Sequence, residues 1–235
     1  MQKHKVGIYK KYIKRCLDFV LSLCAIIALS PVMLITALLV KMELGSPVIF
    51  CQIRPGKDGK LFKMYKFRSM TDEKDVEGKL LPDEIRLTEF GRKLRETSLD
   101  ELPELFNILK GDMSIVGPRP QLVRDMVFMS PEQNRRHEVR QGLTGLAQVR
   151  GRNAITWEEK LAYDIEYVDN ISFVNDVKII FETVKSVFAK EGISAEGMAT
   201  AEDFGDYLLH AGKISPDEYS HGQKKAVFLI KEQGL

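Results

Sequence analysis

From Phe19 to Val40 the chain runs 22 residues without a charged side chain, and nothing else constrains its fold as strongly. At helical rise that run is about 33 Å long, enough to cross a hydrocarbon core of about 30 Å. Lys3, Lys5, Lys10, Lys11, Lys14 and Arg15 precede it with no acid among residues 1–15, and Lys41 follows it. Basic flanks favour a membrane segment over a buried core helix. A signal peptide fits less well, because the run is too long and no A-x-A-like cleavage site follows. Ser30-Pro31 stands at the midpoint. Proline lacks an N–H and clashes with the carbonyl four residues back, here Ile27, so the helix kinks or breaks there. A kinked spanning helix is the commoner outcome. The alternative is a re-entrant hairpin of two half-helices of about 11 residues, each reaching roughly half the hydrocarbon depth.

The rest of the 235 residues suffices for one moderate domain. A net charge of +2 gives no reason to expect a nucleic-acid partner, so the informative charge is local. Cys16, Cys24 and Cys51 form no C-x-x-C pair, which suits a reducing cytosol. The histidines show no HExxH or zinc spacing, and there is no Walker loop or GxGxxG. Val48–Ile53 and Leu61–Arg68 flank Pro55-Gly56-Lys57-Asp58-Gly59, which reads as a β-hairpin. Leu87, Phe90 and Leu94 recur at helical spacing. Thr156 and Glu159 form a capping box opening a helix with Trp157, Leu161, Ile165 and Val168 on one face. Phe173, Val177, Ile180, Phe181, Val184 and Phe188 stripe another helix, ended by Gly192; the stripe suits either a core or a membrane contact. Phe204, Tyr207, Leu208 and Val227–Ile230 suggest one or two docking helices.

Ser98-Leu99-Asp100-Glu101-Leu102-Pro103 holds the most chemistry. Ser98 and Glu101 have capping-box spacing, which would put Asp100 in a first helical turn and favour its ionised form. Such a carboxylate beside a second one suits a nucleophile or a metal ligand, although Ser-x-x-Glu before an apolar run is also an ordinary helix start. Gly117-Pro118-Arg119-Pro120 follows as a stiff turn. Lys66, Arg68, Arg95, Arg119, Arg150 and Arg152 are candidate phosphate partners. Arg135, Arg136, His137 and Arg140 read as a basic surface near anionic headgroups, and Gly142 and Gly145 as a turn bringing amides to a ligand. Asp112 reads as a loop anchor, while Asp164 and Asp176 leave structural and functional roles open.

Ser98–Pro120, Tyr65-Lys66-Phe67-Arg68-Ser69-Met70 and Gly142-Leu143-Thr144-Gly145-Leu146-Ala147-Gln148-Val149 resemble, in order and spacing, the signature of the bacterial sugar transferases, the monotopic phosphoglycosyl transferases. The resemblance runs from about Lys14 to about Thr200; Gln141 stands where the family usually has proline. It implies an α+β protein: a basic N-terminus and re-entrant membrane helix-hairpin broken at Ser30 and Pro31 (residues 1–45), a mostly helical cytoplasmic catalytic domain with a small β-hairpin (46–200), and an extension (201–235). With the positive-inside rule placing the N-terminus in the cytoplasm, a hairpin keeps the domain where nucleotide sugars are.

The resemblance further implies transfer of a sugar-1-phosphate from a UDP-sugar to a polyprenol phosphate, undecaprenyl phosphate, at the bacterial inner membrane, with release of UMP. Asp100 would be the nucleophile, and Glu101 with Asp100 would hold Mg²⁺. Lys66, Arg68, Arg95, Arg119 and Arg152 would bind substrate. The lipid bilayer is an expected partner, downstream glycosyltransferases are candidate contacts, and nucleic acid is not expected. A sequential mechanism and a catalytically silent membrane scaffold are the rival readings. Gly151-Arg152-Asn153-Ala154-Ile155-Thr156-Trp157 is similar to members acting on a diacetamido sugar, and the length suits the minimal form.

Overall fold

The computed structural model describes residues 7–151, 155–189 and 202–234. A π-helical turn, Tyr9–Ile13, leads into α1 (Lys14–Leu44). The hairpin β1 (Ile49–Pro55) and β2 (Leu61–Phe67) follows, then α2 (Asp83–Arg86) and α3 (Glu89–Glu96). A 3₁₀ turn, Leu99–Glu101, precedes α4 (Glu104–Lys110), β3 (Met113–Val116), α5 (Val123–Met126), α6 (Pro131–Asn134), β4 (Gln141–Thr144) and α7 (Leu146–Arg150). The chain closes with α8 (Trp157–Asp169), α9 (Phe173–Ala189), α10 (Phe204–His210) and α11 (Pro216–Glu232).

The charge-free run is one helix, not two half-helices. Pro31 lies inside α1, and the Ser30 hydroxyl donates to the Ile27 carbonyl at 2.8 Å. That carbonyl is the one Pro31 cannot reach, so the serine supplies the missing donor and the chain need not leave the helix. One stripe of α1 then packs on the domain over most of its length. Asp18 accepts from Ser114 Oγ at 2.8 Å and from the Ile115 N–H at 3.0 Å. Ala25, Ile26 and Leu29 pack against Phe62, Met64, Leu105, Ile108 and Met113. Met33, Ala37, Val40 and Leu44 join Phe67 and Leu94. The opposite face leaves Phe19, Val20, Ile27, Leu34, Ile35 and Leu38 exposed.

The start of α1 is tied down by polar contacts. Arg15 donates to the Ile108 and Leu109 carbonyls at 2.7 and 2.8 Å, capping the C-terminal end of α4. Lys14 and Tyr9 both reach Asp176, which also accepts from Tyr167. Asp176 is therefore a structural anchor.

The expected hairpin forms, with Ile49 opposite Phe67 and Pro55 opposite Leu61. A second pair, parallel β3 and β4, sets Met113 against Gln141. Four-residue strands give too short a period to be legible in sequence, and Gly142 lies in β4 rather than in a turn. A Cβ on Gly142 would lie 2.1 Å from Gly117 N, and one on Gly145 2.1 Å from Gly117 O. These glycines let backbone segments touch; their role is packing.

The Ser98–Glu101 capping box does not form. Ser98 takes a left-handed conformation, φ 55°, its side chain caps nothing, and Glu101 turns to cations instead. The basic surface is also absent. Arg136 and His137 are buried, Arg136 is paired with Asp164 at 2.8 Å, and Arg140 donates to the Gly111 carbonyl. Arg135 and Arg140 are half-buried, and Arg135 meets Glu132, Glu138 and Asp169.

Thr156 and Glu159 do cap α8. Most of the α9 stripe faces outward, with Phe173, Val177, Phe181 and Val184 exposed, while its Ile180 packs on the core and Asp176 and Ile179 are buried. The Phe188 side chain and Gly192 lie outside the described residues. Two helices, α10 and α11, form from the extension, and Phe204 packs with Met129 and Leu161.

Candidate active site

Three segments meet at the site because Asn107 joins two of them. Asn107 is fully buried in α4; its Oδ1 accepts from the Tyr65 N–H at 3.0 Å and its Nδ2 donates to the Lys63 carbonyl at 2.7 Å. The same Nδ2 meets Asp112 Oδ2 at 3.2 Å, so Asp112 anchors the loop as read from sequence. Clamping α4 to the edge of β2 sets Lys66 above the carboxylates of the 3₁₀ turn and α4. Lys66 Nζ is 2.8 Å from Glu101 Oε1 and 3.1 Å from Glu104 Oε1. Arg119, from the turn after β3, places Nη2 2.5 Å from the same Glu101 oxygen.

The pair Asp100 and Glu101 is divided electrically. Burial acts upward on Glu101, but Arg119 and then Lys66 outweigh it and hold that carboxyl well below its usual range. Asp100 is buried and accepts no hydrogen bond among the described residues. Burial raises it to about 6, Glu101 adds to the rise, and Lys66, Arg95 and Arg119 restrain it. Glu104, 2% exposed, is raised by burial to about 7. Burial alone would lower Lys66, yet Glu101 and Glu104 leave it raised. One permanently ionised carboxylate thus neighbours two that titrate near neutrality.

Arg95 gives Nε to Ser69 Oγ at 3.0 Å and acts on Asp100 through its field. Arg68 is not part of the cluster; it is buried against Ser46 and Asp72, at 3.0 and 2.9 Å. Arg152 lies outside the described residues. Sequence reasoning passed over Glu104, whose only signal is its position three residues after Glu101. It also passed over Asn107, and it placed on the surface Arg136, which is buried and whose Nη2 donates to the Arg119 carbonyl at 2.6 Å.

Among the described residues no group of three His, Cys, Asp or Glu is set to hold a metal. Lys66 and Arg119 both contact Glu101 through Oε1, leaving Oε2 and the Asp100 carboxylate as oxygen donors. Two carboxylates completed by water and substrate phosphate suit Mg²⁺, which seldom uses an all-protein cage. The cluster can therefore hold a phosphorylated ligand against cations while presenting a nearly unhydrated carboxylate.

The chain matches the family model of the bacterial sugar transferases over residues 9–190. It is 50% identical to the uncharacterized sugar transferase EpsL of Bacillus subtilis over 192 residues, 82% of this chain and 95% of that protein. It is 44% identical to the UDP-glucose:undecaprenyl-phosphate glucose-1-phosphate transferase of Klebsiella pneumoniae, over 73% of this chain and 39% of that protein. It is 38% identical to the undecaprenyl-phosphate galactose phosphotransferase of Salmonella typhimurium, over 77% of this chain and 42% of that protein. The chain belongs to the bacterial sugar transferase family, the polyprenol-phosphate sugar-1-phosphate transferases.

Proposed function

We propose that this enzyme transfers a sugar-1-phosphate from a UDP-sugar to undecaprenyl phosphate and releases UMP, through a covalent intermediate on Asp100. The observation that carries the reading is the contrast between Glu101, gripped by Lys66 and Arg119, and Asp100, buried beside it with its oxygens uncommitted. An Asp100 oxygen attacks the sugar-linked phosphorus, and the phosphoanhydride bond breaks with its electron pair leaving on UMP. A lipid phosphate oxygen then attacks the same phosphorus and frees the Asp100 carboxylate. Lys66, Arg95 and Arg119 offset the charge of the phosphates. Asp100 and Glu101 Oε2 would hold Mg²⁺, which when bound neutralises the diphosphate.

Membrane topology follows the same logic. At about 46 Å, α1 is longer than the hydrocarbon core is thick, yet its beginning (Asp18), middle (Leu29) and end (Leu44) all rest on the domain. A spanning helix would carry one end away from a domain that sits on one side. One unbroken helix held in the cytoplasmic leaflet with both ends on the cytoplasmic side, its exposed face and the exposed part of the α9 stripe against lipid, keeps all three contacts and puts the site at headgroup level.

The relatives' names share the acceptor and differ in the sugar, glucose in one and galactose in another, so the acceptor carries over and the sugar is left to experiment. The test is UMP release with the full chain in nanodiscs, undecaprenyl phosphate and a panel of UDP-sugars. Turnover with one donor and none with Asp100→Asn supports the reading. No turnover with any donor favours the silent scaffold.

A further inference from the structure

Two cations outside the Ser98–Pro120 signature lie about the turn that carries Arg119: Arg54 touches it, and Lys160 stands one helical turn from the Asp164–Arg136 pair that holds it. Arg54, near the end of β1, gives Nη2 to Gln52 Oε1 at 2.6 Å and Nη1 to the Pro120 carbonyl at 3.3 Å. Its Nε is buried and has no hydrogen-bond partner among the described residues. Lys160 approaches from α8. It lies one helical turn before Asp164, the carboxylate that holds Arg136, and Arg136 in turn holds the Arg119 carbonyl. The Lys160 ammonium sits 4.2 Å from the centre of the Trp157 ring.

Neither cation makes an ion pair among the described residues, although acids surround them. Each of those acids is engaged elsewhere. Asp125 accepts from the Leu122 and Phe204 N–H groups, Asp164 pairs with Arg136, Asp203 with Arg124, and Glu104 with Lys66. Burial lowers Arg54 to about 10, and Arg119 pushes the same way. Burial also lowers Lys160; Asp164 and Asp125 pull back, while Arg119 and Arg136 press it further down. Half-buried like charges without an ion pair are unfavourable, and a site that keeps them gains when a ligand anion supplies the missing charge.

We propose that Arg54 and Lys160, together with Arg119, form a phosphate-binding subsite that takes the phosphate group of a nucleotide or of a polyprenol phosphate. The choice of these two phosphates rests on the transfer reading above; the subsite itself rests on the unpaired cations.

The test is equilibrium binding to the full chain in nanodiscs, with UMP against uridine and farnesyl phosphate against farnesol. None of these needs turnover. In Lys160→Met, which keeps an apolar cover on Trp157, affinity for UMP or for farnesyl phosphate should fall about tenfold or more. Affinity for uridine and farnesol should hold, and Lys160→Arg should restore most of the loss. Loss in the UMP arm alone assigns the subsite to the donor, loss in the farnesyl phosphate arm alone to the acceptor, and loss in both to a position they share. Arg54→Gln should repeat the pattern; if it loses its thermal transition, Lys160→Met decides. Both phosphates binding Lys160→Met within twofold of wild type would overturn the proposal. So would a wild-type protein that binds UMP no better than uridine and farnesyl phosphate no better than farnesol. A wild type that binds these phosphates yet never turns over would sink the transfer reading and leave the subsite standing.

Discussion

Arg119 Nη2 stands 2.5 Å from Glu101 Oε1, and this contact joins the turn after β3 to the 3₁₀ turn that carries Asp100. It fixes Glu101 as an anion and aims a guanidinium at the place where phosphate charge would gather. Arg119→Lys keeps a charge but loses the fork. A fall in kcat/KM of about 100-fold, roughly 2.7 kcal/mol of barrier, is expected with the thermal midpoint held within a few degrees. A value within threefold of wild type would remove Arg119 from the site.

The buried Asp100 sets a pH dependence. Burial pushes its carboxyl up to about 6 in the metal-free site and it must be ionised to attack phosphorus, so at limiting Mg²⁺ kcat/KM should rise with pH through about 6 and level above it. The neighbours titrate as a set, so the break belongs to the cluster. A profile flat from pH 5 to 8 would contradict it.

His137 gives a stability prediction of definite sign. Burial, with Arg136 adding to it, lowers its pKa to about 3, so the folded state keeps a neutral ring that the unfolded chain protonates below about 6.5. The stability this residue contributes is complete above pH 6.5 and is lost as pH falls toward 3. Thermal melts of wild type and His137→Gln across pH 4–8 should show a shallower acid-side decline in the variant. Parallel curves would mean the ring is solvated.

Much of this molecule was legible in its sequence, and the failures share a cause. The β-hairpin, the Thr156 capping box and the two terminal helices follow from local patterns, and local contacts form them. Lys66, Arg95, Arg119, Asp100 and Glu101 were singled out by motif, and the structure groups them. What escaped depends on distant partners: Glu104 acquires its role from Lys66, 38 positions before it, and β3 exists only beside β4. Ser98 looked like a cap because spacing cannot reveal a left-handed φ. Arg136 and His137 looked solvated because sequence does not show that Asp164 waits in the interior.

Ser30 and Pro31 predict a paired effect. Removing the hydroxyl in Ser30→Ala leaves the Ile27 carbonyl without a donor in an apolar setting, a cost of about 1–3 kcal/mol. Ser30→Ala/Pro31→Ala restores the backbone bond, so it should recover stability and favour a straighter helix. Cysteine labelling near Lys5 and Lys57 in intact cells should find both sites shielded from outside in wild type. The double variant should shift toward outside labelling at Lys57, and labelling of that site in wild type would refute the one-sided placement.

The most direct test of the covalent relay is the order in which products leave. Enzyme, Mg²⁺ and the active UDP-sugar are mixed without lipid acceptor, and the intact protein is weighed by mass spectrometry. A stoichiometric burst of UMP and a mass increase of one sugar phosphate mapping to Asp100 are expected, the adduct vanishing when undecaprenyl phosphate is added. No adduct and no UMP until the acceptor arrives, with intersecting steady-state lines, would contradict the intermediate and make the transfer a direct one.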